Sequence, residues 1–221
     1  MLYIIRHGQT AKNKQKVLQG RSDLPLNEEG RQQSLDAGAA LREQGIKADR
    51  VYSSPLIRAI ETAQLACGTD DVLTDERLIE MDYGPYEGMD LTSPAPEVIA
   101  FFMDFAGTPA PDGMEQLSSV VARTGEFADE IIEEARRGNV VISTHAIAMK
   151  GFLEYLTPGS DGSYWSKYVG NCEIYAVPVT DEGYGIPYSL YSGAGRPGEL
   201  PRLCTSDIFP SPVRDIIVEL M

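Results

Sequence analysis

Two histidines are all that this 221-residue chain contains, and each stands at the end of a short apolar run. Leu2-Tyr3-Ile4-Ile5 leads into Arg6-His7-Gly8, and Val140-Val141-Ile142-Ser143 leads into Thr144-His145. An imidazole can serve as nucleophile, base or proton donor near neutral pH. Cations accompany both rings: Arg6 precedes His7, Lys150 lies one turn past His145, and Arg58 follows another strand-like run. A guanidinium offers planar paired donors that suit two oxygens of a phosphoryl group, and such charge-assisted hydrogen bonds are roughly twice as strong as neutral ones. After His7, Gly8 permits close backbone approach while Thr10 and Asn13 add hydroxyl and amide donors, which reads as an anion nest. A lone histidine is more often a satisfied buried ring, and a lone arginine a surface ion pair. Two histidines at equivalent strand ends, each with a cation nearby, point instead to one site.

The elements that must position these residues alternate between strand and helix. Leu2 to Ile5 has the nearly all-apolar pattern of a strand covered on both faces of a parallel sheet. Asn27 suits a helix N-cap, with Glu28 and Glu29 in the first turn and Leu35, Ala39 and Leu41 on an apolar face ending near Gln44 and Gly45. Arg50 to Ser53 reads as a second strand. Pro55 suits the start of the next helix, which runs through Arg58 and Thr62 to about Cys67. The stretch from about Thr74 to Gly113 is proline-interrupted and reads as an insertion with one helical patch around Val98, Phe101, Phe102 and Phe105. Glu115 to Arg137 is the longest helix candidate, stopped by Gly138, and Val140 to Ser143 is a further buried strand before the helix carrying Ile147, Phe152 and Leu153. Glu173 to Val177 and Tyr188 to Tyr191 read as final strands, separated by a turn at Asp181-Glu182-Gly183. The expected fold is an α/β three-layer sandwich, a mostly parallel central sheet with helices on both faces. In such open sheets, ligands bind at the carboxyl ends of the strands, where both histidines fall.

Composition narrows the partners. With 33 acidic and 19 basic side chains the formal charge is −14, which repels phosphate backbones and anionic lipid, so neither nucleic acid nor membrane is expected. No apolar run approaches the roughly 18 residues of a membrane span, and the first residues lack the pattern of a signal peptide, so a cytoplasmic location is expected. The three cysteines, Cys67, Cys172 and Cys204, form no CxxC pair and read as small buried hydrophobes. Neither histidine belongs to an HExxH or similar ligand pattern, so no metal and no cofactor are expected.

Arg6-His7-Gly8-Gln9-Thr10 with Asn13 resembles the opening motif of the histidine phosphatase superfamily, the phosphoglycerate-mutase-like phosphatases. Further segments resemble the family in order: Gln19 to Leu26 with Gly30, Ser53-Ser54-Pro55-Leu56-Ile57-Arg58-Ala59 with Thr62-Ala63, Leu78-Ile79-Glu80 with Gly84 and Glu87-Gly88, and Ser143-Thr144-His145. The similarity spans roughly residues 2 to 177, and several segments in the right order are far more specific than a single motif.

The resemblance implies His7 as a neutral nucleophile that forms a phosphohistidine, later hydrolysed by water. It implies Arg6, Asn13, Arg58 and His145 as ligands of the non-bridging oxygens, with His145 a cationic donor and Gln19, Gly20 and Ala146 lining the phosphate pocket. Glu80 would protonate the leaving oxygen and then take a proton from the attacking water.

Three departures from the family pattern bear on the activity. Ala146 follows His145 where glycine is frequent, Arg21 follows Gly20 where tryptophan is usual, and Glu80-Met81-Asp82-Tyr83-Gly84 replaces the Glu-Arg-x-Tyr-Gly of the mutase branch. Met81 and Asp82 supply no additional cation for a second acidic group, which favours a phosphatase over a mutase. A phosphoglycerate-type mutase and a weakly active phosphate-binding module stay open as alternatives. A single domain over residues 1–221 is expected, with a cap at about 89–113 whose Phe101, Phe102 and Phe105 either wall the leaving-group side or fill the core beneath. A C-terminal extension at about 194–221, with Arg196, Arg202 and Val213 to Leu220, is expected to close the pocket, edge the sheet or join a homodimer. The expected partner is a small phosphorylated metabolite.

Overall fold

The computed structural model describes residues 1–105 and 107–193; Cys204 and the expected extension at 194–221 lie outside the described residues. The strands are β1 (Leu2–Arg6), β2 (Arg50–Ser53), β3 (Leu73–Thr74), β4 (Val140–Thr144), β5 (Ile174–Val177), β6 (Val179–Thr180), β7 (Gly183–Tyr184) and β8 (Tyr188–Tyr191). The helices are α1 (Ala11–Lys14), α2 (Glu28–Glu43), α3 (Ile57–Cys67), α4 (Pro96–Met103), α5 (Leu117–Arg137) and α6 (Ala146–Leu156). A six-stranded sheet runs in the order β3-β2-β4-β1-β5-β8, parallel from β3 through β1 and antiparallel at β5 and β8. β6 and β7 form a separate small hairpin at the turn expected near Asp181.

Strand alternation explains the layers. On β1, Leu2 and Ile4 face a core that also holds Val140 and Ile142 of β4, Phe127 and Ile131 of α5 and Met149 and Phe152 of α6. Tyr3 and Ile5 face the opposite core, with Val141 of β4, Ala37 and Leu41 of α2 and Ala66 of α3. Each buried Leu or Ile side chain contributes about 1.5–3 kcal/mol, so a strand apolar on both faces is held at the centre of the sandwich.

Local signals set the helix starts. Asn27 caps α2 by accepting the Gly30 N–H at 2.8 Å. α3 begins two residues after Pro55, at Ile57, whose N–H is taken at 2.7 Å by the Asp23 carboxylate from a distant loop. Gly8 and Gly30 let the β1 loop touch α2: a Cβ on Gly8 would meet the Gly30 carbonyl oxygen at 2.4 Å, and one on Gly30 would meet the Gln9 carbonyl oxygen at 2.1 Å.

The 89–113 segment contains α4, and its three phenylalanine rings are buried. Phe101 and Phe102 are fully buried with Leu18, Met81, Tyr83, Leu91, Val98 and Trp165, and Phe105 stacks against Phe101 and Phe102 and lies 6.0 Å from the Trp165 ring. They fill a second core, and Phe105 lies with its ring centroid 5.4 Å from Lys150 Nζ. Among the described residues, no helix is long and apolar enough to cross a membrane.

Candidate active site

Three adjacent parallel strands end in register at one edge of the sheet. Arg6 pairs with Thr144 across β1 and β4, and the ladder continues one residue further, with the His7 N–H on the Thr144 carbonyl at 2.9 Å. On the other flank of β4, Ser53 of β2 pairs with Ser143, and the Ser54 N–H reaches the Ser143 carbonyl at 2.9 Å. The residues following β2, β4 and β1 are therefore Ser54, His145 and His7, side by side. The two imidazole centroids lie 5.1 Å apart at 60°. Asn171 Nδ2 donates to the His7 carbonyl at 3.0 Å, fixing the first histidine from its other side.

His7 Nδ1 lies 2.7 Å from the Gly8 carbonyl oxygen, which can only accept, so Nδ1 carries a proton. Burial, then the charges of Arg58 and Arg6, hold His7 well below the usual histidine pKa, leaving a neutral ring whose Nε2 lone pair is unprotonated. His145 is also buried, and burial, Arg58 and His7 likewise hold its pKa well below the ordinary value. The expected cationic donor is thus neutral in the free site. Its Nε2 lies 2.7 Å from Ser54 Oγ.

Arg6 and Arg58 are buried in this acidic chain. Arg58 donates from its two terminal nitrogens to the carbonyls of Gly20 at 2.6 Å and Ser22 at 2.8 Å, and burial brings its pKa down to about 10. Arg6 donates to the Val169 carbonyl. Arg6 Nε, Arg58 Nε, His145 Nδ1, Tyr83 Oη and Ser143 Oγ are buried without a hydrogen-bond partner among the described residues. A buried polar group left unpaired costs about 1–3 kcal/mol, so five of them in one protein ask for an explanation.

The other expected residues are placed as follows. Glu80, buried, accepts from the N–H groups of Ala148 at 3.0 Å, Ile147 at 3.3 Å and Met81 at 2.9 Å. Its carboxylate thus sits at the N-terminus of α6, the helix that His145 opens and whose first residue is the buried Ala146. Gln19 accepts the Thr10 hydroxyl at 2.6 Å, and Gly20 donates to Glu87 at 2.8 Å while holding Arg58. A Cβ on Gly20 would lie 2.7 Å from each of Glu87 Oε2, Met81 O and Tyr83 Cδ2. Asn13 stands third in α1, its Oδ1 taking the Thr10 N–H at 3.0 Å.

Of the anion nest read in the sequence, the Thr10 hydroxyl is given to Gln19 at 2.6 Å, while the Asn13 amide Nδ2 has no partner among the described residues. The backbone donors of the loop after β1 are committed internally: Gly8 N–H to Thr62 Oγ1 at 3.0 Å, Gln9 N–H to Gln33 Oε1 at 2.9 Å and Thr10 N–H to Asn13. Gly8 is small for the sake of Gly30. What remains open to an anion are guanidinium and imidazole nitrogens and the Asn13 side-chain amide.

Sequence reasoning passed over Ser54, Tyr83 and the Trp165–Val169 stretch, whose carbonyls receive Lys150 Nζ at 3.2 Å and Arg6. The strand-end rule that singled out the histidines could have singled out Ser54, since it follows β2 as they follow β1 and β4. Two departures from the family pattern meet in space: Arg21 pairs with Asp82 at 3.4 Å and with Glu115 at 3.5 Å.

The chain matches the histidine phosphatase superfamily (branch 1) over residues 2–188. It is 31% identical over 166 residues to phosphoglycerate mutase-like protein 4 of Arabidopsis thaliana, covering 72% of each chain. It is also 31% identical over 188 residues to a 2,3-bisphosphoglycerate-dependent phosphoglycerate mutase of Bifidobacterium longum, covering 70% of this chain and 76% of that one. The fold is similar to that of a mycobacterial glucosyl-3-phosphoglycerate phosphatase, with a TM-score of 0.73 at 24% identity, covering 88% of this chain and 98% of the other. A sheet edge carrying paired histidines and buried arginines, with a match running through nearly all the described residues, makes this chain a member of the histidine phosphatase superfamily, branch 1.

Proposed function

We propose that the protein is a metal-independent phosphatase that hydrolyses small-molecule phosphate monoesters through a phosphohistidine. The observation that carries this reading is the set of buried nitrogens without a partner around a neutral His7, two of them guanidinium donors: Arg6 Nε, Arg58 Nε and His145 Nδ1. A phosphoryl group supplies oxygens to such donors, and the guanidinium charges neutralise it as it transfers.

His7 Nε2 attacks phosphorus while the bond to the leaving oxygen breaks, and Nδ1, tied to the Gly8 carbonyl, takes up the positive charge of the ring. Arg6, Arg58 and His145 hold the non-bridging oxygens, with the amide of Asn13 beside them. Gln19 and Gly20 keep Arg58 and Thr10 in place, and Ala146 borders the pocket at the start of α6. Glu80 enters the cycle protonated and gives that proton to the leaving oxygen, the α6 N–H groups then holding its carboxylate. The resulting carboxylate then takes a proton from water as that water attacks phosphorus, the N–P bond breaks, and inorganic phosphate leaves with His7 neutral again.

A mutase reading is favoured by the Bifidobacterium relative, whose name states that activity. Against it stands the Arg21–Asp82 ion pair, which commits Arg21 to Asp82 and Glu115, and Met81, which is buried in the second core. The deciding experiment measures phosphate release from a panel of phosphorylated metabolites, 3-phosphoglycerate included, with chelator present. Steady release by the wild type that His7→Ala abolishes is the expected result. Loss of release on chelation overturns metal independence, and isomerisation that needs a bisphosphate primer, without net release, overturns the phosphatase.

A further inference from the structure

His145 has one nitrogen on Ser54 and the other unpartnered, and hydrogen-bond accounting decides which of them holds its proton. A hydroxyl has one proton and two lone pairs. Ser54 Oγ accepts the Leu56 N–H at 3.3 Å, which occupies one lone pair, and its remaining described neighbour is His145 Nε2 at 2.7 Å. Ser54 is fully buried, so water does not complete the count.

Were Nε2 to carry the imidazole proton and donate it, the Ser54 hydroxyl proton would be left buried with no acceptor, and Nδ1 would present a bare lone pair. Were the hydroxyl to donate to Nε2, every group on Ser54 would be used and the ring proton would sit on Nδ1. The second arrangement wastes no buried donor, and an unmade buried hydrogen bond costs more than a made one gains. Nothing else pins the ring, because Nδ1 has no partner among the described residues.

We infer that Ser54 is a positioning residue that locks His145 as the Nδ1–H tautomer, so that a neutral ring offers a ready-made N–H donor to a bound phosphoryl oxygen. The tautomer follows from the free site, whereas its use on phosphate rests on the proposed function. The Ser54 backbone makes the lock rigid: its N–H is tied to the Ser143 carbonyl, and Pro55 restricts the next step of the chain. Ser54 thus links β2 to the residue that follows β4.

With two histidines in the chain, imidazole nitrogen NMR reads the tautomer directly in the ligand-free protein, and His7→Gln identifies which ring is which. The expected wild-type spectrum shows His145 with a protonated Nδ1 and a bare Nε2. Ser54→Ala is expected to give a mixed or switched tautomer, Ser54→Thr to restore it, and inorganic phosphate to bind about 10- to 100-fold more weakly to Ser54→Ala, the range for one hydrogen bond to a charged group. A wild-type His145 protonated on Nε2 overturns the inference without any variant having to fold, and so does an unchanged tautomer in Ser54→Ala. The expected tautomer in a protein whose phosphate release survives His7→Ala would leave Ser54 in its role and overturn the phosphohistidine instead.

Discussion

The ends of β1 and β4 look alike and behave differently. Each is a five-residue buried strand followed by a histidine, and the two are parallel neighbours in register. His7 is tied through Nδ1 to a backbone carbonyl, which forces that nitrogen to donate and leaves Nε2 bare. His145 is tied through Nε2 to a hydroxyl, which is able to donate, and Nδ1 is left without a partner. The sheet thus delivers two identical rings to one place, and one hydrogen-bond partner on each decides whether it offers a lone pair or a proton. Topology supplies the position; the partner supplies the chemistry.

The most severe way to break this contrast is to remove each ring in turn and ask for the covalent intermediate. Rapid quench into alkaline denaturant, in which a histidine N–P bond survives, is expected with labelled substrate to trap no phosphoenzyme in His7→Ala. In His145→Ala it should still trap phosphoenzyme on His7, formed about 10²- to 10³-fold more slowly, the usual loss for one donor to a developing oxyanion. Equal phosphoenzyme formation in both variants would erase the distinction between lone pair and proton.

A milder test uses pH. Both rings have lowered pKa values in the fold, so above the ordinary histidine pKa of 6.5 they are neutral folded or unfolded and leave stability unaffected. As pH falls below 6.5 the unfolded chain takes up protons that the folded site refuses, and stability declines. Denaturant melts of the wild type from pH 8 to 5 should show that decline, and removing either ring with His7→Gln or His145→Gln should reduce its slope. A slope unchanged by both substitutions would mean the rings accept protons in the folded state.

The smallest effect concerns the arginine that serves both rings. Asp23, on a distant loop, accepts the Ile57 N–H at the first turn of α3, the turn that carries Arg58. Asp23→Ala is expected to cost about 1 kcal/mol in a chemical melt, the net worth of a typical hydrogen bond. A KM increase with little change in kcat should accompany it, because Arg58 shifts without being lost.

Much of this arrangement was legible in the residues. β1, β2 and β4 announce themselves as apolar runs, and Asn27 marks the start of α2 by the capping chemistry it performs. The direction of β5 and β8 was not legible, because an apolar run reads the same whether its neighbour is parallel or antiparallel. The β6–β7 hairpin is too short to show alternation. Gly8 has a second neighbour that the sequence does not announce: only the packing of α2 reveals Gly30. The placement of Ser54 depends on the register of β2 with β4, across 91 residues of sequence, which no local pattern encodes. Glu80 sits in a stretch without periodicity, and its link to α6 runs through backbone N–H groups that carry no residue signature.

The strand order also governs when this protein becomes competent. β4 lies between β1 and β2, yet the chain reaches it only at residue 140. During synthesis at about 5–20 residues per second, β1 and β2 wait on the order of ten seconds for the partner that joins them. Their facing edges stay open until then, and pairings between such distant segments are intrinsically slow to form. His7 is made well before β4, but it has no second ring and no β4 strand end beside it until β4 is threaded into the gap. A nascent or truncated chain ending before that point therefore exposes strand edges with the two rings still apart, and the Val169 and Asn171 contacts that hold Arg6 and His7 arrive later still.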